Sequence, residues 1–293
     1  DAMGCFRNFC FDRSGRISKH DGGSDSEKSV LNQNLFLYRE KAMEKMKKEE
    51  LLSVVKDAQM ILVGIGREFS MVQKASGEKK ELALYQESLA AESLPPEDGL
   101  FQAYEKLAKL LGHKPYFIVT LNADGLIWRT SLDSSCIVAP CGDLRKMQCG
   151  EHIVEAAPIR DQVLEAVRES AEAGQEAQIR EQIEKLARCP ICGKPLVFHT
   201  VEQRGYMEEG YLPQWEKYRK WLQATLNRKL CILELGVGFE YPQVIRWPFE
   251  KTAFYNKKAA LIRICARFPQ IPEELSERSF SLGTSPVSFL NKL

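Results

Sequence analysis

A doubly wound parallel α/β sheet, Rossmann-like, with one small inserted module is the fold that this sequence predicts. Three observations predict it. Four short apolar runs, each of strand length, are separated by stretches with helical periodicity. Two of those runs close on a Gly-x-Gly turn. Between the second run and the third lies a segment of another character, in which cysteine-bearing loops flank a helical stretch.

Residues 1–35 are polar and punctuated by Gly15, Gly22 and Gly23, which predicts a flexible arm that Phe6, Phe9 and Phe11 can anchor. From Arg39 to Ala58, apolar positions such as Met43, Met46, Leu51, Val55 and Ala58 recur at helical spacing. Met60-Ile61-Leu62-Val63 then runs without a polar residue into Gly64-Ile65-Gly66, as a strand buried on both faces does. A helix over Leu100 to Leu111 leads to the second strand, Tyr116 to Thr120, which closes on Leu121-Asn122-Ala123-Asp124. Cys231 to Leu235, ending at Gly236-Val237-Gly238, is the third strand, and Ala260 to Ile264 the fourth. A helix over Leu212 to Leu226 precedes the third. Residues 36–140 and 202–293 therefore form one sheet domain, and 141–201 an insertion whose helical stretch runs from Ile159 to Ala187.

Bulk composition narrows the partners. The 293 residues carry a formal net charge of +1, so no overall field draws the chain to nucleic acid or to an anionic membrane. No apolar run approaches bilayer length, and the start has no signal-peptide hydrophobic region. Nine scattered cysteines are an odd number, two of them in one tight pair, which suits a metal site in a reducing, cytoplasmic setting better than a disulfide framework.

The sharpest local signal is Cys189-Pro190-Ile191-Cys192-Gly193. Two thiolates at this spacing converge on one ion, and Cys149-Gly150-Glu151-His152 supplies a Cys-x-x-His pair upstream. Together they make a Cys₃His set for a structural zinc, and the insertion reads as a zinc-ribbon/helical module; a reduced or redox pair without metal is the alternative. Gly64-x-Gly66 and Gly236-x-Gly238 end strands, where a backbone turn can approach a phosphate. They can equally be plain tight turns. Asn122 and Asp124 sit at a strand's C-terminal end, where ligands bind to such sheets, or else satisfy their own turn.

In order along the chain, these pieces resemble the NAD-dependent sirtuin family. The order is Gly64-Ile65-Gly66, then Thr120-x-Asn122-x-Asp124, then Cys141-Gly142-Asp143, Cys189-x-x-Cys192-Gly193, Gly236-Val237-Gly238 and the strand Leu261 to Ile264. The likeness covers about residues 40–293. Leu233 to Phe239 and Ile245 to Glu250 look most like a bacterial, macrodomain-linked branch that resembles an ADP-ribosyltransferase acting on a lipoyl-carrier protein. This resemblance implies an NAD site. Gly64, Ile65 and Gly66 would lie against the dinucleotide phosphates, Asn122 at the nicotinamide ribose and Asp124 at the nicotinamide pocket. Gly236, Val237 and Gly238 would flank the adenosine, close to Cys265.

The departures from the family pattern bear on activity. Cys141 stands where deacylating sirtuins have a His that acts as a base on the ribose, and where the macrodomain-linked branch tends to have Gln. Leu121 replaces a polar residue, Cys265 replaces an Asn, and Arg67-Glu68-Phe69-Ser70 lacks the usual Ser…Asp-Phe-Arg run. A thiol of ordinary pKa, about 8.5, substitutes poorly for a base whose worth is roughly two to four orders of magnitude. Transfer of ADP-ribose to a protein acceptor can dispense with that base. The resemblance thus implies a transferase with Asn122, Asp124 and Cys141 at its catalytic centre. A non-catalytic NAD or ADP-ribose sensor and a weak protein deacylase remain open.

Overall fold

In the computed structural model, residues 48–70, 80–172 and 176–293 are described. The arm predicted over 1–35, and the first part of the helix predicted from Arg39, lie outside them.

Residues 48–57 are helical (α1), and Leu51 and Val55 are buried. Six parallel strands follow in the order β3-β2-β1-β7-β8-β9. The central four are β1 (Met60–Ile65), β2 (Tyr116–Thr120), β7 (Leu230–Leu235) and β8 (Ala260–Ile264). Their inner residues are buried without alternation, because helices cover both faces of the sheet. Two short edge strands complete the sheet: β3 (Ile137–Val138) and β9 (Ser279–Leu282). The chain winds outward from β1 to β3, then restarts at β7 on the other side of β1. The direction in which strands are added therefore reverses between β1 and β7, and in such sheets that switch opens a ligand crevice at the strands' C-terminal ends.

Helices α2 (Lys80–Ser93) and α3 (Gly99–Leu111) connect β1 to β2. Helix α3 is strongly amphipathic, with Leu100, Ala103, Tyr104, Leu107 and Leu111 buried. Asp98 caps its start by accepting from the Leu100 amide at 2.7 Å. On the far side of the sheet, α6 (Leu212–Gln223) precedes β7 and α7 (Arg246–Tyr255) connects β7 to β8, while α8 (Pro286–Asn291) packs beside α3.

The inserted segment forms its own three-stranded antiparallel sheet, β5-β4-β6. Its strands are β4 (Gly142–Gln148), β5 (Ile153–Glu155) and β6 (Val197–Thr200). The predicted helical stretch is two helices, α4 (Ala157–Glu172) and α5 (Glu176–Leu186). Leu144, Met147, Val163, Val167, Ile183 and Phe198 form a separate apolar cluster there, and Tyr85 of α2 belongs to it. The α2 helix is thus shared: it follows β1 in sequence but packs on the insertion, its Tyr85 ring 4.8 Å edge-on from Phe198. It forms one wall of the crevice.

Candidate functional site

The two glycine turns meet each other. A Cβ on Gly66 would collide with the Gly236 carbonyl and the Val237 Cα, and Gly236 itself takes a φ of 67°. Hydrogen bonds knit the crossing: the Gly66 amide donates to Leu235 O at 2.9 Å, and the Gly236 amide to Ile264 O at 2.7 Å. Backbone therefore lines the mouth of the crevice at the β1–β7 switch. Gly64 answers a different need. Its Cβ position lies 2.5 Å from Ile245 Cγ2, against the start of α7, so glycine there lets the helix approach the strand. Gly238 faces the Phe268 ring, 3.4 Å from where a Cβ would stand.

The second wall comes from the end of β2. Asn122 is 2% exposed. Its amide Nδ2 donates to Phe69 O at 2.5 Å, tying the β2 loop to the β1 loop and fixing which end of the amide is which. The Tyr104 hydroxyl lies within hydrogen-bonding reach of the Asn122 side chain, and neither it nor the Oδ1 has another partner among the described residues. Asp124, 3% exposed, is committed differently. Its Oδ1 accepts from the Leu126 amide at 3.0 Å and its Oδ2 from Ser70 Oγ at 3.4 Å. Burial raises its pKa, opposed by those two donors and by Arg67. A cavity of about 260 Å³ opens beside it, lined by Ser88, Gly125, Arg145 and Arg160 among others. Both arginines are already paired there, Arg145 with Asp143 and Arg160 with Glu92 and Asp161.

Cys141 is 2% exposed, and burial pushes its thiol up to about 11. At neutral pH it stays a thiol and accepts no proton. Cys265 is also fully buried, taking a hydrogen bond from the Phe268 amide at 3.4 Å. Glu68 closes this side by accepting from the Ala266 and Arg267 amides at 2.7 and 3.1 Å, which pins the turn after β8 to the turn after β1. Beneath it lies a buried ion pair, Arg263 on Glu234 at 2.6 Å, with Glu250 and the Gln270 carbonyl completing the guanidinium's partners. Arg246 holds Val237 O, Phe268 O and Gln270 O from the same layer. The network anchors the loops after β7 and β8 on which the crevice depends.

One residue of this site escapes sequence reasoning altogether. Glu87, half-buried on α2, lies within the field of Asp124 and Glu202, with Arg67 opposing them. Burial first, then the like charge of Asp124, push its carboxyl up to about 7. A group with a folded pKa above its unfolded one holds more protons in the folded state, so it costs stability as pH rises from about 4.5 to 7. Replacing Glu87 with Gln should therefore stabilise the protein above pH 7, by on the order of 2–3 kcal/mol, and make little difference at pH 5. Urea unfolding at the two pH values measures this directly. Equal effects at both would mean that the carboxyl titrates normally.

The metal cluster sits at the far end of the insertion. Cys149, His152, Cys189 and Cys192 present ligand atoms all within 4.8 Å of one another. Cys149 Sγ is 3.7 Å from Cys192 Sγ and 3.7 Å from His152 Nδ1, and Cys189 Sγ is 3.9 Å from that nitrogen. A tetrahedral zinc with Zn–S of about 2.3 Å needs sulfurs roughly 3.7–3.8 Å apart, so these residues fit it. Each pair comes from a tight turn. Gly193, at a φ of 73°, returns its amide to Cys189 O at 2.8 Å, and the His152 amide donates to Cys149 Sγ at 3.3 Å. An ion held by all four would have no open position, as in a structural site.

Comparison with known proteins places this architecture. A solved structure concerned with sirtuin substrate affinity aligns over 83% of this chain and 96% of its own, with a TM-score of 0.51 and 13% identity. The fold is that of the sirtuins. A Sir2 enzyme structure on mechanism and regulation aligns over 85% and 96%, at a TM-score of 0.50 and 12% identity. Identity this low shows the sirtuin fold and nothing finer. By sequence, a protein ADP-ribosyltransferase of Staphylococcus aureus is 28% identical over 191 residues, 64% of this chain and 59% of that protein. A probable bifunctional ADP-ribose hydrolase/ADP-ribosyltransferase of Fusarium oxysporum f. sp. cubense is 28% identical over 156 residues, 50% of this chain and 25% of that protein. The chain thus spans less than two thirds of both curated relatives. No protein-family model matches it. Among the described residues, no helix is long and apolar enough to cross a membrane.

Proposed function

We propose that the chain is a sirtuin-fold ADP-ribosyltransferase: it breaks the nicotinamide–ribose bond of NAD and passes ADP-ribose to a protein acceptor. The observation that carries this reading is the placement of buried Asn122 and Asp124 at the end of β2, next to two glycine turns that cross at the adjoining ends of β1 and β7. A ribose hydroxyl would meet the Asn122 amide at this strand end, and the turns at Gly66 and Gly236 would present backbone to the dinucleotide's phosphates. Asp124, fixed by Leu126 and Ser70, would hold the nicotinamide end. Cleavage makes an oxocarbenium-like centre, which a closed, charged crevice supports by preorganised electrostatics and by excluding water.

The buried thiol at Cys141 argues against the deacylase reading. That chemistry requires a base on the ribose, and this side chain is protonated at neutral pH. The two relatives named for ADP-ribosyl transfer support the transferase reading. The acceptor is a protein, with a lipoyl-carrier protein the first to assay; the metal cluster would hold one zinc and shape the insertion that frames the acceptor's approach. Titration calorimetry tests the site itself. NAD and ADP-ribose should both bind, and mixing NAD with the protein should generate free nicotinamide. Binding of both without nicotinamide would instead make the chain a sensor of the nucleotide.

A further inference from the structure

We propose that Arg67 is the cation that grips the dinucleotide's pyrophosphate, held by Glu240 until the ligand displaces it; this role rests on the transferase reading above. Arg67 directly follows Gly66, so its backbone stands at the crossing of the two glycine turns. Its Nε lies 3.6 Å from Oε2 of Glu240, which follows Gly238 by two residues. The pair thus joins the loop after β1 to the loop after β7. Those are the two loops between which the switch of strand order opens the crevice. Both side chains keep contact with water, at 24% and 33% exposure, so a ligand can reach them.

A pyrophosphate diester is doubly anionic, and the glycine turns give it little charge to meet. The Gly66 amide already donates to Leu235 O, the Gly236 amide to Ile264 O, and the Glu68 amide to Gly236 O at 3.3 Å. Backbone here lets a phosphate come close; the counter-charge has to come from a side chain. The other arginines around the crevice are committed. Arg145 is bidentate on Asp143, and Arg160 is shared by Glu92, Asp161 and Ser88. Arg246 and Arg263 are buried in the network beneath the loops after β7 and β8, and Arg267 is bonded to Glu68.

Arg67 differs from all of these. Among the described residues its one ion pair is to Glu240, made through Nε and too long for a hydrogen bond. Its terminal nitrogens have no partner among the described residues, and they belong to the planar fork that takes phosphate oxygens in pairs. A half-exposed pair at this distance contributes little, so a dianion competes with the single carboxylate on favourable terms. The loop that carries Glu240 is also strained: Tyr241, its neighbour, holds a φ of 49°, which a side chain other than glycine seldom adopts. Strain of this kind persists where the surrounding fold enforces it, as at ligand clamps.

Titration calorimetry with ADP-ribose, which has no nicotinamide bond to break, reads this contact apart from turnover. Arg67→Ala should weaken ADP-ribose binding about 10- to 100-fold, and Arg67→Lys should recover part of the loss by restoring charge without the fork. Glu240→Gln should bind at least as tightly as wild type, because the carboxylate that competes with the pyrophosphate is gone. Added salt should weaken binding to wild type more than binding to Arg67→Ala. The proposal is overturned if Arg67→Ala binds ADP-ribose as wild type does. It is overturned equally if Glu240→Gln loses as much affinity as Arg67→Ala, which would make the pair a clasp between loops. Either result leaves the transferase reading standing, since the wild type still binds the nucleotide. A wild type that binds neither ADP-ribose nor NAD removes the site, and both readings with it.

Discussion

Asn122→Ala should abolish nicotinamide release from NAD while the protein stays folded and keeps its metal. Asn122 occupies a position that two loops define: its backbone amide donates to Thr120 Oγ1 at 3.1 Å, and its Nδ2 donates to Phe69 O. Truncation removes the side-chain amide and leaves Phe69 O short of a donor, costing about 1–2 kcal/mol of stability. That is small for a chain with a six-stranded core, so the variant should unfold within a few degrees of wild type. On activity the effect is far larger. An atom that meets the ribose where charge develops in the transition state is worth roughly 10²–10³ in rate by analogy with oxyanion donors, and mispositioning of the ribose adds to this. ADP-ribose should still bind with only modestly weakened affinity, because it keeps its phosphate and adenosine contacts. Loss of ADP-ribose binding in step with activity would mean that Asn122 holds the whole ligand or the fold.

The metal cluster carries the other large effect. Purified protein should contain about one zinc per chain, and Cys192→Ser should lose it. The insertion's apolar cluster is small, and the ends of both cysteine turns depend on the ion for mutual attraction, since their thiolates otherwise repel. Structural zinc sites in isolated peptides supply roughly 10–16 kcal/mol, far more than this cluster can replace. A strong chelator or the Cys192→Ser change should therefore melt β4, β5 and β6 together, seen as rapid hydrogen exchange across 142–200. Because Tyr85 and Ser88 anchor α2 on that sheet, nicotinamide release should fall with it. Metal-free protein with a protected insertion would contradict the assignment.

What was legible in the sequence was what burial alone dictates. The strands at 60–65, 116–120, 230–235 and 260–264 are buried on both faces because helices cover both, and they read as apolar runs broken only by Thr120, Glu234 and Arg263. The four metal-site residues were legible because ligand geometry fixes their spacing within each turn. The edge strand Ile137–Val138 is too short to leave a pattern. Strand Gly142–Gln148 hides behind Asp143, Arg145 and Lys146, although Asp143 is buried and paired with Arg145 of the same strand and Gln148 is held by Gly205 and Met207 of a distant loop. Helix Lys80–Ser93 contacts its neighbours largely through Ser88, Ala91 and one tyrosine, a weak apolar stripe. Glu87 could not be singled out for the same reason: its raised pKa is a product of where the fold puts α2, and its sequence context is that of any solvated helix. The glycines divide likewise. Gly64 and Gly66 read alike in sequence, yet one makes room for helix α7 and the other for the crossing turn at Gly236.

The central claim is that this crevice breaks the nicotinamide–ribose bond and moves ADP-ribose. The most direct measurement incubates the protein with NAD labelled in both the nicotinamide and the adenosine, with and without a lipoyl-carrier protein, and follows each label. The account predicts free nicotinamide from the wild type, adenosine label bound to protein, and neither from Asn122→Ala. Intact NAD after prolonged incubation, with no label on any protein, would contradict it.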